Sequence, residues 1–115
     1  IDFVVAVPLH PKKEFKRGYN QSKMIAKGIE EETGWRWIDL LKRTENNASQ
    51  TKKNKYERWL NVGSSFSIDT SIPIHNKNVL LIDDVVTTGA TLEANVSAIL
   101  EAGAKTVSVA TVACA

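Results

Sequence analysis

The chain has 115 residues, of which 43% are hydrophobic and 24% are charged, so it fits one globular domain with a single core. No run approaches the roughly 18 apolar residues of a membrane-spanning helix, and no signal-peptide pattern is visible, which predicts a cytoplasmic protein without membrane insertion. The single cysteine, Cys114, excludes an internal disulfide and a thiolate metal cluster, and we interpret it as a small buried residue.

Charge is distributed unevenly along the chain. Residues 1–58 contain thirteen Lys and Arg against eight Asp and Glu, whereas residues 59–115 contain two against five. The basic half predicts either ordinary surface solvation or an anionic partner, such as a phosphorylated ligand or nucleic acid. The chain also begins without methionine, inside a strand-like run, which we interpret as a truncation at the amino terminus.

The first 41 residues predict one strand–helix unit followed by a second strand. Residues 2–7 are apolar and β-branched, which favours a buried strand. Residues 20–33 carry apolar side chains at helical spacing, with Asn20 as the N-cap and Gly34 just beyond the carboxyl end. Residues 35–41 show partial alternation and aromatic side chains, which predicts a second strand.

The middle of the chain predicts a long basic connection. Residues 42–60 are polar, with six Lys and Arg against two acids, and they indicate a long loop or a loose hairpin. Connections of this length in a compact domain are usually functional or disordered, so the segment is either a flexible basic loop that faces an anion or a merely solvated loop. Residues 61–68 then predict a short return strand, and residues 71–78 a turn region.

The last third of the chain predicts a strand–helix–strand unit. Residues 79–82 form a continuous apolar run, typical of a central parallel strand buried on both faces. A helix follows over residues 91–102 with Gly103 as its stop, and residues 106–113 form the next strand. This order predicts an α/β fold with a right-handed parallel sheet, helices on both of its faces and a flexible basic loop.

Two acids occupy the carboxyl end of the predicted central strand. In open α/β sheets ligands gather at this edge, where Asp83 and Asp84 could accept hydrogen bonds from a diol or hold a hydrated cation. The hydroxyl-rich turn over residues 85–91 follows at once and enters a helix, an arrangement that presents backbone N–H groups to a phosphate. A solvated strand end is the alternative. However, the probability that the six residue types Asp-Asp, Thr-Thr-Gly and the final Thr occur together by chance is on the order of 10⁻⁷ per sequence window. This low probability favours a ribose 5-phosphate site.

The run VLLIDDVVTTGAT resembles the motif with which type I phosphoribosyltransferases bind 5-phosphoribosyl-1-pyrophosphate (PRPP). The resemblance implies that Asp83 and Asp84 bind the ribose hydroxyls. It also implies that the 5-phosphate is surrounded by Thr87, Thr88, Gly89, Ala90 and Thr91. Mg²⁺ would be held mainly by pyrophosphate, ribose oxygens and water, with Asp83 and Asp84 as the candidate protein contacts.

Two further segments, VPLHPKKEFKRGYNQSKMIAKGI and SQTKKNKYERWLNVGSSF, resemble the ComF family, named for late competence and DNA uptake. The resemblance implies a phosphoribosyltransferase-type domain over residues 1–115. It places Arg17 in a pyrophosphate loop after the first strand, and Gln50, Arg58 and Asn61 in or beside the flexible loop; a surface turn and a solvated loop are the alternatives. Family members usually carry an amino-terminal zinc-binding cysteine cluster, so the chain is expected to be a fragment without that segment.

The implied activity is transfer of ribose 5-phosphate from PRPP to a nitrogen acceptor with release of pyrophosphate. Asp83, Asp84 and Arg17 form the expected catalytic set, and Arg17, Lys12 or Lys13 would stabilise the departing charge. Arg58 is expected to help bind the ligand. Thr87 stands where hypoxanthine-type enzymes carry an acid, which disfavours purine salvage.

Other functions stay open on the sequence alone. The same pocket could serve a non-catalytic PRPP sensor or a DNA-uptake module whose basic half meets single-stranded DNA or the competence machinery, and type I enzymes commonly form homodimers. A phospho-acceptor receiver domain is disfavoured by the phosphate-binding turn after Asp84. His10 and His75 lack a second ligand at metal spacing and are interpreted as loop residues.

Overall fold

The computed structural model describes residues 1–8, 20–43, 56–61, 64–86 and 90–114, and they contain seven strands and two helices. Over these residues, neither helix is long and apolar enough to cross a membrane. In chain order the elements are β1 (Phe3–Ala6), α1 (Gln21–Thr33), β2 (Arg36–Trp37), β3 (Leu41–Arg43), β4 (Tyr56–Asn61), β5 (Ser64–Asp69), β6 (Asn78–Val86), α2 (Ala90–Glu101) and β7 (Thr106–Cys114).

Four strands form a parallel sheet in the order β2-β1-β6-β7. The register aligns Val4 with Leu80 and Val5 with Leu81, so β1 and β6 are its central strands. A strand covered on both faces needs apolar residues throughout, which explains the uninterrupted run from Val79 to Ile82 in β6. The predicted parallel α/β sheet is confirmed.

The two helices cover opposite faces of this sheet. Successive residues of a strand belong to opposite faces, and Val4 of β1 packs in one cluster with Ala26 of α1. Val5 belongs to the other cluster, which contains Ile99 of α2. The prediction of helices on both faces is therefore confirmed.

The remaining three strands form an antiparallel sheet in the order β3-β5-β4. The single strand predicted over residues 35–41 is wrong, because the chain changes sheets within it. Trp37 pairs with Val4 of β1 in the parallel sheet, whereas Leu41 pairs with Ile68 of β5. Ile38 and Leu40, between the two short strands, are both buried, so the apolar pattern runs on across the change of sheet.

β4 corrects the predicted loop over residues 42–60. Residues 56–61 are a strand, paired from Tyr56 with Asp69 to Asn61 with Ser64, while residues 44–55 lie outside the described residues. β4 is an edge strand of its sheet, and an edge strand tolerates polar residues. Its polar sequence lacks the apolar alternation by which strands are predicted. The return strand predicted over residues 61–68 is confirmed as β5.

Both helices begin and end close to the predicted residues. Asn20 is the N-cap of α1, and Gly34 adopts a left-handed conformation at φ +81° after its last turn. α2 covers Ala90–Glu101, one residue earlier than predicted, and Gly103 follows it at φ +111°. The capping signals in the sequence therefore located the helix ends correctly.

Candidate active site

The parallel sheet has a topological switch point between β1 and β6. β1 connects through α1 to β2 on one side, and β6 connects through α2 to β7 on the other. The β1–α1–β2 and β6–α2–β7 connections run in opposite directions along the sheet and cross opposite faces of it, so they have the same handedness. This agrees with the rule that such crossovers are almost always right-handed. The connections diverge at the carboxyl ends of β1 and β6, and ligands of open α/β sheets bind in the crevice formed there. We call this place the carboxyl edge and assign the candidate site to it.

β6 brings Asp83 and Asp84 to the carboxyl edge within the strand itself. The strand was predicted over residues 79–82, with the acids after it, but it extends from Asn78 to Val86. β7 gives the physical reason, because it pairs with β6 through Asp83–Thr111 and on to Val86–Cys114. These backbone hydrogen bonds override the low strand propensity of aspartate.

The surroundings of Asp83 suit a contact with a polar ligand. Asp83 is half-buried, and it takes part in an interaction within the protein. Asp83 is two residues beyond Leu81 and four beyond Val79, so it belongs to the same face of β6 as these two residues, the face that α2 covers. A partly accessible carboxylate near the carboxyl end of a strand can accept hydrogen bonds from hydroxyl groups or from the water shell of Mg²⁺.

The two helix amino ends at the carboxyl edge differ in their suitability for an anion. α1 begins there, but the Ser22 and Lys23 amides already donate to Asn20 Oδ1 at 2.8 and 3.3 Å. These amides are satisfied within the protein, which makes α1 the less suitable site. α2 begins at Ala90, with three residues between it and the end of β6, so the positive end of its dipole lies close to the carboxyl end of the strand that carries Asp83.

The other predicted site residues are placed only in part. Ala90 and Thr91 open α2, and Arg58 lies in β4 opposite Ser67, so Arg58 flanks residues 44–55 without belonging to a loop. Asn61, at the end of β4, pairs with Ser64. The remaining predicted residues lie outside the described residues: His10, Lys12, Lys13, Arg17, Gln50, Thr87, Thr88 and Gly89.

A separate cavity of about 280 Å³ lies away from the carboxyl edge. Its lining includes Ile74, which precedes β6, and Glu101, at the last turn of α2, so it opens at the amino end of the parallel sheet. His75 lies next to it in an exposed turn. In the described part of the chain, no group of three or more His, Cys, Asp and Glu side chains could hold a metal ion.

Two buried asparagines were not predicted as part of the site. Asn20 donates from Nδ2 to the Val7 carbonyl at 3.4 Å, a tertiary contact that its N-cap signal does not reveal. Asn95 of α2 has no exposed surface and makes an interaction within the protein. Its spacing of three and four residues from Ala98 and Ile99 indicates the buried face of the helix, so its burial could have been predicted.

Comparison with known proteins identifies the class to which this fold belongs. The family model of the phosphoribosyl transferase domain matches residues 39–114. The chain belongs to this family. The whole chain also superimposes on a crystal structure of adenine phosphoribosyltransferase, with a TM-score of 0.73, 13% identity and coverage of 58% of that chain. Adenine phosphoribosyltransferase from Saccharomyces cerevisiae, complexed with an imino-altritol bisphosphate and adenine, gives a TM-score of 0.67 at 12% identity, over 100% of this chain and 58% of that one.

Sequence relatives specify the branch of the family. The chain is 41% identical over 103 residues to competence protein ComFC from Streptococcus pneumoniae, across 90% of this chain and 44% of that protein. It is 30% identical over 109 residues to DNA utilization protein YhgH from Escherichia coli strain CFT073, across 94% of this chain and 47% of that protein. The ComF resemblance is confirmed, and the chain spans a little under half the length of these relatives.

Proposed function

We propose that the chain binds PRPP with Mg²⁺ at the carboxyl edge and acts as a phosphoribosyltransferase. The observation that supports this most strongly is the position of Asp83, half-buried near the carboxyl end of a central strand beside the switch point, seven residues before α2 begins. An edge that combines carboxylates with a helix amino end suits a ligand that combines a diol with a phosphate.

Each part of the ligand has an assigned contact. Asp83 and Asp84 accept hydrogen bonds from the ribose hydroxyls, residues 87–91 surround the 5-phosphate, Arg17 binds pyrophosphate, and Arg58 is a further ligand-binding residue. Asp83 and Asp84 would hold Mg²⁺ through its water shell, because Mg²⁺ dehydrates reluctantly, and the ion would supply charge neutralisation for the pyrophosphate.

The proposed reaction exchanges one bond at the anomeric carbon. A nitrogen of the acceptor bonds to that carbon while the bond from carbon to the pyrophosphate oxygen breaks, and its electron pair leaves with pyrophosphate. The acceptor nitrogen then loses its proton. Arg17 stabilises the departing negative charge, and loss of one such donor typically costs about 2.7–4 kcal/mol of barrier.

Replacing the two acids tests the site. Asp83→Asn and Asp84→Asn each remove a charged acceptor, so the affinity for PRPP should fall roughly 10- to 100-fold in calorimetric titrations with Mg²⁺. Glu101→Gln is the matched control, because it removes one exposed acid at the opposite end of α2 and should leave the affinity unchanged. Unchanged affinity in both aspartate variants would reject the assignment.

A second candidate function is a PRPP-responsive, DNA-associated module without transferase activity. It is favoured by the names of the relatives, competence protein ComFC and DNA utilization protein YhgH, and by the basic residues 1–58. Pyrophosphate release with any of a panel of nitrogen bases would establish the transferase. PRPP binding without release, together with single-stranded DNA binding that weakens steeply between about 50 and 200 mM salt, would establish the module.

A further inference from the structure

The side chain of Asn20 joins the end of β1 to the beginning of α1. Its Oδ1 accepts hydrogen bonds from the Ser22 and Lys23 amides, and its Nδ2 donates to the carbonyl of Val7 at 3.4 Å. Asn20 is 4% exposed and Val7 8%, so these contacts form away from water. One buried amide thus links two chain positions that are thirteen residues apart.

Capping alone does not require this side chain. An N-cap needs one oxygen that accepts from the first free amides of the helix, and Ser, Asp and Asn supply it about equally well. Only asparagine adds an N–H₂ group that can donate in the opposite direction. The contact with Val7 uses this second function, and a buried polar group contributes to stability only when it is hydrogen-bonded.

The linked position lies at the centre of the candidate site. The Val7 amide donates to the Ile82 carbonyl at 2.9 Å, so the Val7 peptide is tied to β6 on one side and to Asn20 on the other. Ile82 immediately precedes Asp83. Val7 therefore joins three parts of the fold. Its amide connects the end of β1 to the acid-bearing end of β6, and its carbonyl connects the end of β1 to the beginning of α1.

We infer that Asn20 is a positioning residue that fixes the spacing across the switch point for the ligand. The inference rests on the proposed function, in which PRPP spans the ends of β1 and β6. Asn20 acts through Val7 and need not touch the ligand. Because the contact is internal, it exists in the ligand-free protein and can be measured there.

Three variants separate positioning from capping. Asn20→Ser keeps the capping oxygen and loses the donor to Val7. Asn20→Ala loses both. Gly34→Ala weakens the same helix at its far end, where φ is +81° and an added Cβ meets nothing within 4 Å, so it lowers stability without touching the carboxyl edge.

Two measurements are made on each variant, PRPP affinity with Mg²⁺ by calorimetry and amide hydrogen exchange of the ligand-free protein by NMR. Asn20→Ser should weaken PRPP binding roughly three- to tenfold, the equivalent of one neutral hydrogen bond, and should lower the unfolding midpoint about as much as Gly34→Ala does. It should also speed exchange of the Val7 amide, while the Ser22 and Lys23 amides keep their protection. Gly34→Ala should lower the midpoint yet bind PRPP like the parent chain.

The outcomes distinguish failure of the inference from failure of the proposed function. If the parent binds PRPP and Asn20→Ser matches it in affinity and Val7 exchange, Asn20 is only a cap and the inference is overturned. If the parent does not bind millimolar PRPP, the proposed function fails. The Val7 exchange of Asn20→Ser then decides alone, because faster exchange supports the positioning role and unchanged exchange rejects it.

Discussion

Asp2 uses its carboxylate to fasten the amino edge of the parallel sheet, opposite the edge that carries Asp83. Its Oδ2 accepts from the Asn78 amide at 2.8 Å, and its own amide donates to the Asn78 carbonyl at 2.8 Å. Asn78 Oδ1 in turn accepts from the Thr106 hydroxyl at 2.8 Å. This chain of contacts links β1, β6 and β7, so polar side chains fix the strands at an edge where apolar packing ends.

Asp2 should make stability depend on pH in the acid range. The hydrogen bond from the Asn78 backbone, the largest cause, and the nearby Lys77 charge lower the pKa of Asp2 below its usual 3.8. Because the pKa of Asp2 is lower in the folded state, the contribution of its carboxylate to folding stability is complete above pH 3.8. This contribution is lost as the pH falls through the folded-state pKa. In urea titrations from pH 6 to 2, Asp2→Asn should show a smaller acid-induced loss of stability than the parent. Parallel curves for the two proteins would contradict this role.

Single residues show where sequence reasoning succeeds and where it stops. The place of Asp83 near the carboxyl end of a central strand was predictable, because the apolar run of residues 79–82 before it locates that strand; its role toward a ligand stays a prediction. The cap formed by Asn20 was predictable for the same local reason. The hydrogen bond between Asn20 and Val7 was not predictable, because it joins residues thirteen positions apart. The sequence between them carries no periodicity or capping signal that predicts their contact.

At the scale of the helices, three glycines predict three different responses to alanine. Gly28 lies inside α1 with nothing within 4 Å of an added Cβ, so Gly28→Ala should stabilise the fold by about 0.5–1 kcal/mol. Gly34→Ala places a side chain at positive φ and should cost about 1 kcal/mol. Gly103→Ala should cost about 2 kcal/mol or more, because φ is +111° and the new Cβ would lie 2.9 Å from His75 Nδ1.

Urea denaturation of the three variants under one condition checks this order. The parent protein should lie between Gly28→Ala and Gly34→Ala in unfolding free energy, and Gly103→Ala should be the least stable. A Gly103→Ala variant as stable as Gly34→Ala would show that the His75 turn yields easily to the added methyl group.

The sheets were less predictable than the helices, for physical reasons that two elements show. β2 and β3 were merged into one strand because buried side chains such as Leu40 continue the apolar pattern while the chain crosses between sheets. β4 was missed because an outer antiparallel strand takes its stability from backbone pairing with β5, which residue types report only weakly. Helix ends, in contrast, depend on local caps and were read directly from the sequence.

Over the whole molecule, one apolar cluster connects the two sheets. Phe66 of β5 and Leu41 of β3 share it with Leu81 of β6 and Ile99 of α2. α2 contacts β4 and β5 as well as β6 and β7, so it lies between the sheets and belongs to both. The antiparallel sheet is therefore joined to the parallel sheet by the same core that supports the carboxyl edge.

This shared core predicts that both sheets unfold in one transition, which Phe66→Ala tests. Phe66 is 1% exposed, and its loss should cost about 3–5 kcal/mol, as large truncations in a core do. Trp35 and Trp37 pack on the opposite face of the parallel sheet, whereas the third tryptophan, Trp59 of β4, pairs with Phe66. In a Trp59→Phe background, used for both the parent and the variant, fluorescence therefore reports a region that does not include Phe66. Fluorescence and far-UV circular dichroism should shift together to lower urea and remain superimposed in the variant. If circular dichroism shifted while fluorescence kept the parent midpoint, the antiparallel sheet would be a separate unit, and residues of β4 such as Arg58 could move independently of Asp83.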